Sequence, residues 1–208
     1  PLEAIKILKK NSYVKFQETL DVAINLGIDT KKTDQNIRGM LSLPKGTGKN
    51  IRVAVMAKGD KASEAKDAGA ELVGDSDLAD KISSGKIDFD LLIATPDMMP
   101  SIGKIAKILG PKGLMPNPKL GTVTEDVKTA VTNAKAGQVK FRNDKAGIVH
   151  AGIGKLSFNE QDLIENLKAF YSSINKSKSE TVKASFIKKI TIASTMGVGL
   201  EINVASLR

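Results

Sequence analysis

The stretch IRVAVMA, residues 51–57, is a nearly continuous apolar run at which the pattern of the chain changes. A strand buried on both faces has this composition, because a parallel sheet is covered by helices on each side. The run FDLLIA, residues 89–94, is a second strand of the same kind. Helical patterns lie between and after these runs, so residues 47–137 are predicted to form a parallel sheet covered by helices.

The helical patterns in this region end at glycines. Gly69, Gly85 and Gly137 each follow such a pattern, and Thr124 is placed to cap the last helix. The predicted helices cover residues 60–68, 76–84, 98–109 and 124–136, and a short strand covers residues 71–73.

The segments on either side of this region have a different pattern, in which apolar and polar residues alternate. Alternation of period two predicts strands with one buried face. In the first segment we predict a helix over residues 2–10 and strands over 20–26 and 37–43. In the second we predict a hairpin of 139–142 with 148–156, a helix over 159–174, and a hairpin of 186–195 with 200–205.

Neither flanking segment is long enough to bury a core comfortably by itself. We therefore predict a fold of class α/β and α+β with two domains. Residues 1–46 and 138–208 form a discontinuous, split-βαβ-like α+β domain, and residues 47–137 form an inserted, Rossmann-like α/β domain. Glycines lie where the chain passes between them, so Gly46, Gly48 and Gly137 are predicted to form a hinge.

The charge is distributed unevenly between the two predicted domains. The 208 residues carry a formal net charge of +9, of which the flanking segments contribute +8 and the insert +1. A basic surface of this kind attracts polyanions, and nucleic acid is the usual partner. The alternative is an ordinary protein with surplus surface lysine. The discontinuous domain is the candidate for the polyanion-binding surface.

Several functional classes are disfavoured by the sequence. The segment 46–50, GTGKN, lacks the first glycine and the hydroxyl residue of a phosphate-binding loop and leads into a strand. His150 is the single histidine, and no cysteine is present, so a typical metal cluster or catalytic triad is not expected. His150 lies within a strand pattern, where we expect a partly buried structural role. No run of about 20 apolar residues and no secretory signal is found.

Two kinds of segment could present polar groups to RNA. The loop over residues 109–121, LGPKGLMPNPKLG, is held rigid by three prolines and carries Lys112 and Lys119. Turns over residues 142–145 and 194–197, and the strand start at 15–19, offer small or polar side chains that suit ribose and phosphate contacts. The alternatives are three ordinary turns and a loop that only packs across the sheet edge. Aromatic residues make up 4%, which disfavours recognition by base stacking.

Residues 109–123, LGPKGLMPNPKLGTV, strongly resemble the signature of the bacterial L-one family of large-subunit ribosomal proteins. Further segments resemble family sequence in family order: 33–39 (TDQNIRG), 42–49 (SLPKGTGK), 141–145 (FRNDK) and 195–197 (TMG). The resemblance covers essentially the whole chain. Two departures are that Lys45 stands where many members have histidine, and that the start is shorter than in typical members.

The resemblance implies a non-enzymatic, cytoplasmic protein that binds large-subunit ribosomal RNA at a mobile stalk near the exit-site tRNA and assists tRNA release. It also implies translational repression through binding of the messenger RNA of its own operon. We expect no cofactor, no metal, no membrane partner and a monomer when free. By motif matching, the implied RNA-binding residues are Lys15, Phe16, Thr19, Arg142, Asp144, Lys145, Thr195, Met196 and Gly197. Lys112 and Lys119 are the implied secondary contacts to RNA or tRNA.

Two other hypotheses belong to different functional classes. A nucleotide-dependent enzyme would use the Rossmann-like insert, although the first strand of that insert is followed by KGDK, residues 58–61, and not by a dinucleotide-binding glycine pattern. A purely regulatory RNA-binding protein outside the ribosome would require the same surface chemistry as a ribosomal protein.

Overall fold

The computed structural model describes residues 1–85, 87–178 and 186–207, without the side chains of Thr33, Ser76 and Lys119. The Cα positions cluster into two compact units. Pro1–Gly48 together with Gly137–Arg208 is called the terminal unit here, and Lys49–Ala136 the inserted unit.

Along the described residues, helices and strands follow one another in the predicted order. Their ends differ from the predictions by up to three residues. In chain order they are α1 (Leu2–Lys10), β1 (Thr19–Leu26), β2 (Arg38–Ser42), β3 (Val53–Met56), α2 (Asp60–Asp67), β4 (Leu72–Gly74), α3 (Ser76–Ser83), β5 (Leu91–Ala94), α4 (Met99–Leu109), α5 (Val127–Lys135), β6 (Gln138–Arg142), β7 (Ile148–Lys155), α6 (Glu160–Lys176), β8 (Ile187–Ser194) and β9 (Gly199–Ile202).

The inserted unit is built on a parallel sheet with the strand order β4-β3-β5. All four residues of β3 are buried, because alternate side chains enter cores on opposite faces of the sheet. Ala54 and Met56 pack with α3 and α4. Val53 and Val55 pack with α2 and α5. The predicted parallel sheet covered by helices is confirmed.

The terminal unit is built on an antiparallel sheet with the strand order β7-β1-β8-β9. Both β7 and β8 run antiparallel to β1, so they are parallel to each other, and α6 connects them. With β1 lying between them, this is a split βαβ arrangement. The sheet therefore combines a strand from the start of the chain with three strands from its end.

One face of this sheet is covered by helices and the other is not. Leu20, Val22 and Ile24 of β1 are buried in one core with residues of α1 and α6. The alternate residues Asp21 and Ala23 point to the opposite face and are more exposed. The sheet consequently has a second face, which no helix among the described residues of the terminal unit covers.

The predicted hairpin of residues 139–142 with 148–156 is wrong. β6 pairs with β2 in a separate two-stranded sheet, and β7 pairs with β1. Between β6 and β7 the structure has a tight turn and one isolated bridge, Asn143 to Val149. The two strands diverge after the turn, because each finds a long-range partner in the first segment of the chain. We call the β2–β6 pair the ribbon.

The predicted cap of α5 is also corrected. Asp126 is the N-cap residue, and its side chain accepts a hydrogen bond from the Thr129 N–H at 3.1 Å. Thr124 lies before the helix, and its hydroxyl oxygen accepts a hydrogen bond from the Asp126 N–H. A carboxylate is the stronger cap because it also interacts favourably with the positive end of the helix.

The segments by which the chain leaves and re-enters the terminal unit lie against each other. Gly137 has a φ of +99°, and a Cβ atom there would lie 2.6 Å from the Gly46 Cα atom. The Gly137 carbonyl accepts a hydrogen bond from the Leu43 N–H at 3.3 Å. This close approach of two backbones explains the requirement for glycine at residue 137.

The buried side-chain amide of Asn166, on α6, holds the segment by which the chain leaves the terminal unit. Asn166 is fully buried, and its side-chain N–H groups donate to the Ile153 carbonyl at 2.8 Å and the Gly46 carbonyl at 3.0 Å. Its side-chain oxygen accepts from the Lys45 N–H at 3.1 Å. One side chain thus joins α6, β7 and the segment that leads to the inserted unit.

We expect Asn166→Ala to lower the free energy of unfolding by about 2–4 kcal/mol, because it leaves partly buried backbone groups without partners. Urea denaturation of the full chain measures this effect. Asn175→Ala is the matched control, since Asn175 is exposed on the same helix. Equal stability of the two variants would contradict the role given to Asn166.

Candidate nucleic-acid interface

The first candidate contact region lies where β1 begins and β8 ends. The Thr19 N–H donates to the Thr195 hydroxyl oxygen at 3.0 Å, which joins the two strand ends. The Lys155 ammonium, at the end of β7, donates to the Thr19 hydroxyl oxygen at 3.1 Å. A hydroxyl pair and a cation from three neighbouring strands are thereby placed together. We call this region the Thr195 end of the sheet.

A buried carboxylate organises the turn that follows β8. Glu18 is 3% exposed, and it accepts hydrogen bonds from the Ser12 hydroxyl and from the Met196 N–H, the latter at 2.9 Å. These bonds, with that of Ser12 the largest effect, hold the pKa of Glu18 below its ordinary value, while burial acts in the opposite direction. A further bond from the Ser194 hydroxyl also lowers this pKa.

Gly197 is required at this turn by the space available. A Cβ atom on Gly197 would lie 2.3 Å from the Ser194 hydroxyl oxygen. Any larger residue would therefore displace Ser194 and disturb the hydrogen bonds to Glu18.

Exposed apolar side chains concentrate in the segments that meet at the Thr195 end. Of the seven large hydrophobic residues exposed in the described part of the chain, Tyr13, Phe16, Met196 and Val198 belong to these segments. The hydroxyl of Tyr13 donates to the Met196 carbonyl at 3.2 Å, yet the residue is 75% exposed. Exposed apolar groups beside hydroxyls and a cation suit contact with both the sugar edges and the phosphates of RNA.

Arg142, Asp144 and Lys145 lie at the other end of the sheet. Thr19 pairs with Lys155, whereas the residue that follows their turn, Ile148, pairs with Asn25. Thr19 and Asn25 are six positions apart on β1, which corresponds to about 20 Å. The predicted RNA-binding residues therefore form two groups: Lys15, Phe16, Thr19, Thr195, Met196 and Gly197 in one, and Arg142, Asp144 and Lys145 in the other.

The side-chain carboxylate of Asp144 shapes the second turn by accepting hydrogen bonds from backbone N–H groups. Its carboxylate accepts from the Ile148 N–H at 2.8 Å and from the Ala146 N–H at 2.9 Å. The bond from Ile148 is the main cause of a lowered pKa for Asp144. This carboxylate is committed to the turn, while the exposed Arg142 and Lys145 side chains supply positive charge.

The expectation that His150 is partly buried is wrong. Its side chain is 62% exposed, on the uncovered face of β7, with Nε2 3.6 Å from an Asp144 carboxylate oxygen. Sequence reasoning also missed Glu18 and Lys155, which contact Met196 and Thr19. Their roles depend on strand register, and no local motif marks them.

The chain is similar to known proteins along nearly its whole length. A profile of the Ribosomal protein L1p/L10e family matches residues 8–198. The chain belongs to this family. It is 57% identical over 204 residues to the large ribosomal subunit protein uL1 of Rickettsia bellii (strain OSU 85-389), covering 98% of this chain and 85% of that protein. The corresponding proteins of Rickettsia peacockii (strain Rustic) and Rickettsia canadensis (strain McKiel) are 55% identical, with the same coverage.

Membership of the L1p/L10e family confirms the resemblance seen in the sequence. It also confirms that the protein is a structural component of the large ribosomal subunit and not an enzyme. Among the described residues, no group of three or more His, Asp or Glu side chains could hold a metal ion. No helix in the described ranges has the length and apolar character needed to cross a membrane.

The family signature over residues 109–123 forms a loop at the edge of the inserted unit's sheet. The Thr122 carbonyl accepts from the Ala94 N–H at 2.9 Å, and Val123 forms a parallel bridge with Ala94. The loop packs along the sheet edge at this point and leaves Lys112 exposed. Lys119 lies in a short 3-10 helix, Pro118–Leu120, and its side chain is outside the described part of the structure.

We expect Glu18→Gln to destabilise the protein near neutral pH, because an amide cannot accept all the hydrogen bonds that the carboxylate accepts. Since the folded-state pKa of Glu18 is depressed, its stabilising contribution is present above the ordinary pKa of 4.5 and is lost as the pH falls through the folded-state pKa. The difference in urea midpoint between wild type and variant should therefore shrink in acid.

Glu64→Gln is the control for this experiment, since Glu64 is exposed on α2. It should leave the midpoint nearly unchanged at every pH. A difference between wild type and Glu18→Gln that is constant from neutral pH to below pH 4.5 would contradict the proposed ionisation of Glu18.

Proposed function

We propose that this protein binds ribosomal RNA as a component of the large ribosomal subunit, and that the terminal unit makes the main contact. The observation that carries the proposal is the Thr195 end, where hydrogen bonds join Thr19, Thr195 and Lys155 and exposed apolar side chains lie in the adjoining segments. Family membership supports the ribosomal assignment.

The chemistry of the Thr195 end suits a prefolded RNA. Glu18 and Gly197 hold the turn in one conformation, so the exposed side chains need little ordering when RNA binds. The terminal segments carry +8 of the net charge of +9, which favours contact with phosphates. The low aromatic content favours recognition of backbone and shape over stacking of single bases.

More specific roles follow from the family resemblance. The RNA site is the stalk region of large-subunit ribosomal RNA near the exit-site tRNA, and the protein assists tRNA release there. A similar structure in the messenger RNA of its own operon is bound in translational repression. The terminal unit is the RNA-binding domain, and the inserted domain contributes a secondary contact to RNA or tRNA through Lys112 and Lys119. The protein acts in the cytoplasm with the ribosome and is a monomer when free.

We expect Thr195→Val combined with Met196→Ala to weaken binding to bacterial large-subunit ribosomal RNA by about 1–3 kcal/mol, because polar and apolar contacts are lost at the Thr195 end. Filter binding with purified RNA measures the affinity, and thermal unfolding checks that the variant is folded.

Thr132→Val provides the control, since Thr132 is exposed on α5 of the inserted unit and its hydroxyl donates to the Lys128 carbonyl oxygen within the same helix. It should bind RNA as the wild type does. If the folded double variant also retains full affinity, the turn over residues 194–197 is not an RNA contact.

Gly46, Gly48 and Gly137 lie where the chain passes between the two domains. These glycines support a further proposal, that the domains open or close about them when RNA binds. Labels placed at Lys104→Cys and Lys168→Cys report on this motion, because the sequence has no other cysteine. We expect the distribution of label distances to change on addition of ribosomal RNA. The same distribution with and without bound RNA would refute hinge motion.

A further inference from the structure

The ribbon places two arginines directly opposite each other. In the antiparallel register, Arg38 of β2 is paired with Arg142 of β6, and Met40 is paired with Lys140. Residues that are directly opposed, or two apart on one strand, share a face of the sheet. Arg38, Lys140 and Arg142 therefore project from the same face, which we call the polar face of the ribbon.

The cations of this face form no close ion pair within the described part of the chain. None of the ion pairs found there includes Arg38, Lys140 or Arg142. Like charges directly opposite each other destabilise a strand pair. Partial burial of Lys140 removes water from its charged form, and this lowers the pKa of the Lys140 ammonium. An anion bound at this face would reduce both unfavourable effects.

The polar face lies on the same side as the uncovered face of the sheet. The alternate residue of β6, Phe141, packs on the other side, with its ring centroid 5.5 Å from that of Phe170 in α6. Lys140 lines an open groove of about 600 Å³ together with Asp21, His150 and Gly152 of the uncovered face. Asp21 is the one carboxylate among the residues that line this groove.

We propose that the polar face of the ribbon, through Arg38, Lys140 and Arg142, binds successive phosphate groups of the RNA strand that the Thr195 end also contacts. This inference rests on the proposed function and extends it to a second contact area, which includes Arg38 and Lys140. The bound strand runs along the uncovered face of the sheet from one area to the other.

The geometry favours RNA over other polyanions. Neighbouring cations on one strand of the ribbon are about 7 Å apart, which is of the order of the separation between successive phosphates on a nucleic-acid strand. Guanidinium groups bind phosphate oxygens in a bidentate manner. Along β1, the turn that follows Arg142 lies about 20 Å from the Thr195 end, so a single folded RNA can reach both contact areas.

The test compares how the affinity of the full chain for bacterial large-subunit ribosomal RNA depends on salt. Each phosphate contact contributes about 0.7–0.9 to the slope of log affinity against log salt concentration. We expect Arg38→Gln and Lys140→Met each to reduce the slope by about that amount. Arg38→Lys, which keeps the charge, should preserve the slope.

Lys168→Gln is the matched control, because Lys168 is exposed on α6, which packs on the opposite face of the sheet. It should leave the slope unchanged, and equal melting temperatures show that the variants are folded. Wild-type slopes for folded Lys140→Met and Arg38→Gln would overturn the inference and leave the proposed function intact. A weaker affinity at every salt concentration without a change of slope would also overturn it. Failure of the wild type to bind this RNA would instead reject the proposed function.

Discussion

The terminal unit depends on the position of β1 between β7 and β8. This strand comes from the first segment of the chain, and both of its partners come from the last. Its apolar residues, such as Leu20 and Val22, lie in a core that also contains residues of both partner strands. The sheet therefore requires the segments on both sides of the inserted unit. Asn166 holds the segment by which the chain leaves the terminal unit, and Gly137 packs against that segment where the chain returns.

The same pairing creates the surface to which we assign function. Because α1 and α6 pack on one face only, no helix in the described part of the terminal unit packs on the opposite face. Register places Lys155 beside Thr19 and brings Thr195 to the same end of the sheet. The divergence of β6 from β7 leaves β6 to pair with β2, and this produces the polar face of the ribbon. Both proposed contact areas are thus consequences of long-range pairing.

Sequence patterns predicted the elements well where local signals are strong. The inserted unit was predicted correctly as a parallel sheet covered by helices, because its buried runs and glycine stops are local features. The hairpin of 139–142 with 148–156 was predicted wrongly, because a turn joining two strands does not require those strands to pair. His150 was misplaced for a related reason, since alternation cannot tell which face of a strand will be covered.

The sequence by itself determined the family, the order of helices and strands, and the concentration of positive charge in the terminal segments. These properties reside in local composition, in periodicity and in motifs that are read in order along the chain. Tertiary structure alone decided that Glu18 holds Met196, that Lys155 reaches Thr19, and that Arg38 faces Arg142. Each of these contacts joins residues far apart in sequence, and their distances depend on strand register, which no local pattern specifies.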